Sequence, residues 1–225
     1  MTPTLAFDVY GTLIDTHGVV GKLTELLEDD GKAQAFSQTW RDKQLEYSFR
    51  RGLMQNYENF AVVTRDALNY ADQFCQTHFT DDQKSELLAV YRTLPAFLDV
   101  ESGLTELRAA GCRLFAFSNG SADAVETLLQ AAGIRDFFDD VVSVDDMRSF
   151  KPNPGVYSHF LRQSGATGAQ AWLISSNPFD VIGSISAGMN AAWVKRSPTA
   201  IFDPWGIEPT AVVSSLTDLK ENIIG

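Results

Sequence analysis

Leu5-Ala6-Phe7-Asp8-Val9-Tyr10-Gly11-Thr12 is the stretch whose reading decides the fold. Three apolar residues stop at a carboxylate, and a glycine follows at once. That order fits a buried strand whose carboxyl end passes into a glycine turn, although so short a run leaves helix and strand undecided on its own. The second half of the chain supplies the context. After Pro95, residues 104–110 read as a helix closed by Gly111 and residues 113–117 as a buried strand. Residues 121–132 read as a helix closed by Gly133, 141–144 as a short strand and 154–163 as a helix. Residues 171–174 read as a strand, 179–187 as a helix closed by Gly188, and 191–194 as the last clear strand. Strands alternating with helices of about ten residues indicate βαβ units and a parallel sheet, to which the opening strand then belongs.

Between these parts the rhythm differs. From about residue 17 to residue 94 no proline occurs, and Gly31 and Gly52 are the only glycines after Lys22. Trp40, Leu45 and Phe49, then Phe60, Val63 and Ala67, then Leu87, Leu88 and Tyr91 recur at helical spacing. The block reads as four or so helices inserted behind the first strand, with Thr80 as an N-cap before Asp81 and Asp82.

With 18 Lys plus Arg against 29 Asp plus Glu, the 225-residue chain carries a formal charge of −11. At 44% hydrophobic and 21% charged it has the composition of a folded protein with a sizeable core. The acidic balance argues against nucleic acid and anionic membrane as partners, because no surplus of cations exists to neutralise phosphate. A small anionic ligand would have to be drawn in by a few local cations. Cys75 and Cys112 stand in no metal-ligand or redox spacing and read as reduced, mostly buried thiols. No run of about 18 apolar residues and no basic leader segment occurs, so a cytoplasmic protein without a membrane span is expected.

In an open parallel sheet, ligands bind beyond the carboxyl ends of the strands. That rim collects Asp8, Tyr10 and Thr12 from the first strand, and Ser118 and Asn119 from the second. It also collects Lys151 after the short strand, and Ser175, Asn177, Phe179 and Asp180 after the fourth core strand. Each has an ordinary structural reading: Asp8 as an Asx-turn, Lys151 as a solvated loop residue, Asp180 as a first-turn helix residue, and the serines as caps. Together, two carboxylates, one ammonium, hydroxyls and amides make a candidate active site. Asp8 is its nucleophile, Lys151 keeps that carboxylate ionised, and Asp180 orients the lysine or a water. No GxSxG, GxxxxGK[ST] or HExxH motif occurs, and His17, His78 and His159 lack metal-ligand spacing.

Asp8-x-Tyr10-Gly11-Thr12-Leu13, Ser118-Asn119-Gly120, Lys151-Pro152 and Asp180 together resemble the four motifs of the haloacid dehalogenase superfamily. Residues 41–48 and Ser175-Ser176-Asn177 are similar to the L-2-haloacid dehalogenases within it. The resemblance implies an α/β fold: a Rossmann-like parallel-sheet core, residues 1–15 and 96–225, with an inserted helical cap, residues 16–95. It implies that Asp8 displaces halide from C2 of a short L-2-haloalkanoic acid, and that water then cleaves the aspartyl ester to a D-2-hydroxy acid. It gives Arg41 the halide, with Asn119 and Phe60 beside it, and gives the substrate carboxylate to Ser118. Thr12, Ser175 and Asn177 would order Asp8 and the water. Tyr10, Leu45, Phe60 and Phe179 would wall the pocket, and Tyr157 would hydrogen-bond near Lys151 as part of the binding site. Water is the co-substrate; no metal and no other cofactor is expected, and a homodimer is a family expectation. Asp42, Phe49 and Phe179 depart from the family pattern, and Asp42 would place an extra negative charge at the pocket mouth.

Two rivals stay open on sequence grounds: a Mg²⁺-dependent phosphatase of the same superfamily, and a non-catalytic small-anion-binding protein on the same scaffold. Against the first, Tyr10 stands where such phosphatases carry a general acid, and the last motif offers Ser176 and Asn177 where a hard cation wants carboxylates. A halide leaving group needs no proton, so a dehalogenase can do without both.

Overall fold

The computed structural model describes residues 3–224. β1 (Thr4–Phe7) is wholly buried. It pairs in parallel with β2 (Arg113–Ser118) on one side and β4 (Ala171–Ser175) on the other, with Phe7 opposite Ala116 and Ile174. β3 (Asp140–Ser143), β5 (Asn190–Val194) and β6 (Ala211–Val213) complete a parallel six-stranded sheet in the order β3-β2-β1-β4-β5-β6. The order reverses between β1 and β4, the switch point at which doubly wound sheets open a crevice.

Side chains of successive strand residues go to opposite faces, and both faces of this sheet are covered. Leu5, Phe7, Leu114, Ala116, Ile174, Ala192 and Val194 enter one buried cluster. They meet Leu104 and Leu107 of α5 (Val100–Ala109), Val125, Leu128 and Leu129 of α6 (Ala122–Ala131), and Leu219 of a short C-terminal helix. Ala6, Phe115, Phe117, Leu173, Ala191 and Trp193 enter a second cluster. That one holds Val156, Tyr157 and Phe160 of α7 (Pro154–Ser164) and Val181 of α8 (Pro178–Ser186).

Between β1 and β2 the chain forms α1 (Val19–Leu27), α2 (Asp30–Met54), α3 (Phe60–Cys75) and α4 (Asp81–Val90). Asp29, Asn59 and Thr80 cap the last three by accepting from the backbone N–H groups of Lys32, Val62 and Gln83. Gln83 returns the bond to Thr80, so the expected N-cap is a full capping box. α2 buries Ala33, Phe36, Trp40, Gln44 and Ser48, a single stripe at helical spacing. Phe60, Val63, Thr64, Ala67, Leu68, Ala71 and Asp72 form the facing stripe of α3. The larger buried cluster runs unbroken from the sheet through Val9, Leu13 and Ile14 into Leu23, Phe36, Trp40 and Leu68.

Three expectations need correction. α5 begins at Val100, not at residue 104, because Gly103 lies inside the helix. A Cβ there would stand 2.6 Å from Cβ of Leu216, so the glycine is what lets the chain after β6 pack against α5. β6 went unread: it is a three-residue edge strand with Val212 exposed, too short to show a period. Cys112 is buried as expected, but Cys75 is only half-buried at the end of α3; both are free thiols.

Candidate active site

Asp8 follows β1 directly, and its backbone N–H donates to the carbonyl of Ile174 at 3.0 Å, which extends the sheet by one bond at the switch point. Its two carboxylate oxygens are treated differently. Oδ2 accepts from the Thr12 hydroxyl at 2.8 Å, the Asn177 amide at 2.7 Å and the Ser175 hydroxyl at 3.3 Å. Oδ1 accepts from the Lys151 ammonium at 3.2 Å.

Lys151 is 1% exposed, and all three of its N–H donors are used. Besides Asp8 they reach the carbonyl of Phe117 and Oδ2 of Asp180, each at 2.8 Å. The ammonium also lies 4.2 Å from the centre of the Phe117 ring. Burial works to discharge the lysine, but the carboxylates of Asp180 and Asp8 outweigh it and raise the pKa above its ordinary value. Asp180 is fully buried in the first turn of α8, and its other oxygen accepts from the Tyr157 hydroxyl at 2.7 Å. Burial, with the charge of Asp8 added, holds Asp180 above the usual carboxylate range despite Lys151 and Tyr157.

A cavity of about 10 Å³ is lined by Asp8, Tyr10, Arg41, Leu45, Phe60, Ser118, Asn119, Lys151, Asn177 and Phe179. Arg41 reaches it from α2, with Nη1 donating to Oε1 of Gln44 at 2.7 Å and Nη2 to the carbonyl of Tyr10 at 3.3 Å. Asn119 accepts from the backbone N–H of Lys151 at 2.9 Å, and the Ser118 hydroxyl accepts from the N–H of Gly120 at 3.1 Å. Tyr10 and Phe60 face each other at 5.7 Å, and Phe49 and Phe179 at 4.9 Å, so aromatic rings flank the polar floor. Burial pushes the Tyr10 phenol up to about 12 and keeps it neutral. The arrangement offers one fixed carboxylate with a cation beside it and a second cation across a small space walled on one side by aromatic rings.

Comparison with known proteins agrees with this geometry. The model of the haloacid dehalogenase-like hydrolases matches residues 2–188. The chain belongs to that family, in its L-2-haloacid dehalogenase branch. It is 35% identical to an (S)-2-haloacid dehalogenase of Pseudomonas sp. strain YL, over 96% of this chain and 92% of the relative. It is 34% identical to haloacetate dehalogenase H-2 of Moraxella sp. strain B, over 93% of this chain and 92% of the relative. The solved L-2-haloacid dehalogenase of Xanthobacter autotrophicus superposes with a TM-score of 0.90 at 32% identity, covering 100% of this chain and 99% of that one. A second structure of that protein carries covalently bound chloropropionic acid.

Two expected site residues fall elsewhere in this haloacid dehalogenase-like chain. Tyr157 is fully buried behind Asp180, donates to it and does not line the cavity, because α7 packs beneath the sheet rim. Asp42 is exposed on α2 and accepts from Gln38 at 2.8 Å; one step along the helix from Arg41 turns it away from the cavity. A Mg²⁺ ion of the phosphatase kind does not fit the donors present. The ammonium of Lys151 sits between the carboxylates of Asp8 and Asp180, and position 10 is a tyrosine. Among the described residues no group of three or more His, Cys, Asp or Glu is placed to hold a metal.

Two further ties around the Asp8 loop have no sign in the sequence. Ser176 donates its backbone N–H to the Thr12 hydroxyl at 2.8 Å and its own hydroxyl to the Gly11 carbonyl at 2.7 Å, which ties the β4 loop to the Asp8 loop. Arg196, just beyond β5, donates to the Thr12 carbonyl at 2.6 Å and to both oxygens of Asp99 at 2.7 Å. A charged residue beside a glycine or serine loop gives no periodic signal from which such a tie can be read.

Proposed function

We propose that the chain hydrolyses short L-2-haloalkanoic acids to D-2-hydroxy acids through an ester formed on Asp8. The observation that carries this reading is the unequal treatment of the Asp8 oxygens. Three donors hold Oδ2, whereas Oδ1 takes one bond from Lys151 and keeps a lone pair for attack. In the first step Oδ1 attacks C2 opposite the halogen; the C–O bond forms as the carbon–halogen bond breaks, and the electron pair leaves with the halide. Arg41 receives that anion, while Ser118 and nearby backbone N–H groups hold the substrate carboxylate. No proton is needed at the leaving group.

In the second step water attacks Cγ of the ester, and the carbonyl electrons move onto Oδ2. Thr12, Ser175 and Asn177 already point their donors at that oxygen, an oxyanion site assembled before the charge develops. Collapse breaks the Cγ–Oδ1 bond. The old Oδ1 leaves on the hydroxy acid, the water oxygen stays on Asp8, one hydrogen of the water passes to the departing alkoxide and the other to solvent. C2 is inverted once and then left alone, so an L acid gives a D product. Lys151 stabilises the Asp8 carboxylate before attack and after product release, and Asp180 with Tyr157 behind it holds the lysine in place.

In this reading the core comprises residues 1–15 and 96–225, the cap comprises residues 16–95, and the cavity lies between them. The protein acts in the cytoplasm with water as its only co-substrate. The similarity to proteins named for 2-haloacid and haloacetate dehalogenation supports the substrate class. The test is release of chloride from L-2-chloropropionate in EDTA, with the D isomer left unreacted. Absence of halide release, with p-nitrophenyl phosphate cleaved only when Mg²⁺ is added, would replace this reading with the phosphatase one.

A further inference from the structure

Gln44 is fully buried although its side chain is a primary amide. It sits in the interface of α2 and α3, one helical turn beyond Arg41, where an apolar residue would continue the stripe of Ala33, Phe36 and Trp40. Its hydrogen bonds have one possible sense. The carbonyl of Phe60 can only accept, so the Thr64 hydroxyl spends its hydrogen there, at 2.8 Å. The hydroxyl oxygen is then an acceptor, and Nε2 of Gln44 donates to it at 2.7 Å. That leaves Oε1 facing Nη1 of Arg41 at 2.7 Å, and a guanidinium can only donate. The flipped amide would set N–H against N–H at Arg41 and oxygen against an oxygen whose hydrogen is already used. Trp40 fixes the turn that carries Thr64 by donating its indole N–H to the Thr64 carbonyl at 2.9 Å.

We propose that Gln44, oriented by Thr64, is a positioning residue that aims the guanidinium of Arg41 at the departing halide. The inference rests on the reading of Arg41 as the group that receives the halide. A neutral amide is suited to the task. It supplies a strong acceptor that immobilises one edge of the guanidinium, yet leaves the full positive charge available to the leaving anion. A carboxylate in the same place would hold the geometry and cancel the charge. An apolar side chain would keep the charge and release the geometry, leaving a half-buried N–H without its acceptor.

The test compares the wild-type chain with Gln44→Met, Gln44→Glu and Thr64→Val. It reads the inhibition constants of added chloride and bromide, the ratio of kcat for 2-bromopropionate to that for 2-chloropropionate, and thermal unfolding. Gln44→Met is expected to weaken halide inhibition on the order of tenfold, the worth of one charge-assisted hydrogen bond. It should also raise the bromo-to-chloro ratio, because the poorer leaving group depends more on Arg41. Its KM for the acid should change far less, since the substrate carboxylate is held elsewhere. Gln44→Glu should weaken halide inhibition as well, through charge, and Thr64→Val should move the same readouts by a smaller factor. Wild-type halide inhibition and leaving-group ratio in Gln44→Met, with rate loss that follows only a lowered melting temperature, would overturn the proposal. If Gln44→Met does not fold, Thr64→Val decides by the same criteria. A wild-type chain that releases no halide from either acid would instead remove the underlying reading of the activity.

Discussion

At the scale of single residues the site turns on a buried lysine held between two carboxylates. Removing one member of a buried ion pair strands the other, at a cost of about 3–5 kcal/mol. Lys151→Met is therefore expected to lower stability by about that much and to abolish turnover, measured by denaturant unfolding and halide release. Asp8→Asn should fold and yet lose turnover by several orders of magnitude, because an amide cannot attack C2. The raised pKa of Lys151 has a definite sign for pH dependence. The stabilising charge is present at all pH values below the ordinary lysine value of 10.5 and is lost only as pH rises through the higher native one. kcat/KM should accordingly hold on the alkaline side up to that value. On the acid side it should fall above the ordinary carboxyl value of 3.8, as the raised Asp180 gains its proton. An alkaline decline centred well below 10.5 would contradict the assignment of Lys151. Asp8, Ser175 and Asn177 were legible as rim residues because each lies at or just past a strand's carboxyl end, and Lys151 and Asp180 because they lie in the segments that follow β3 and β4. Gln44 and Thr64 were not, because they meet through the packing of two helices, and nothing in either helix alone says which polar residue the other will face.

At the scale of elements, period and punctuation carried most of the reading. Gly111, Gly133 and Gly188 marked helix ends correctly, since the helices they follow end at Ala109, Ala131 and Ser186. Gly103 serves a different need inside α5, close approach to Leu216. A second glycine of that kind lies in the site's support. A Cβ on Gly183 of α8 would fall 2.5 Å from the Tyr157 hydroxyl and 2.7 Å from Cβ of Pro152. Gly183→Ala is thus expected to destabilise by about 1–3 kcal/mol and to lower kcat by pushing Tyr157 off Asp180. Thermal unfolding and initial rates measured together check it; an alanine variant with wild-type stability and kcat would show that α8 does not need so close a seat. The edge strand β6 was missed because three residues show no alternation, and its place is set by pairing with β5 alone.

For the whole molecule, the closed site is smaller than its proposed substrate. A cavity of about 10 Å³ has room for about one water, less than a haloacid occupies. Two larger clefts adjoin it, one of about 860 Å³ that shares Arg41 and Asn177, and one of about 600 Å³ that shares Tyr10 and Phe60. Across the rim, the hydroxyl of Tyr57, between α2 and α3, donates to Asp145 just after β3, and its ring lies 5.1 Å from Phe150. Tyr57→Phe is expected to raise amide exchange in residues 55–60 and 144–147 together while leaving β1 protected; exchange unchanged in both segments would show that this contact does not restrain opening. The doubly wound sheet with a helical insertion was legible from the alternation after Pro95 and its absence before. The contact of Tyr57 with Asp145 across the rim was not, since a single pair leaves no pattern in the chain.

In the proposed reaction an oxygen of Asp8 forms a bond to carbon and is handed to the product. A single turnover of L-2-chloropropionate in ¹⁸O-labelled water, with enzyme in excess, tests it most directly by mass spectrometry of the peptide containing Asp8 and of the released hydroxy acid. The label is expected in the Asp8 carboxylate, with unlabelled 2-hydroxypropionate; label in the hydroxy acid with an unlabelled Asp8 would mean that water attacks C2 and that no ester forms on Asp8.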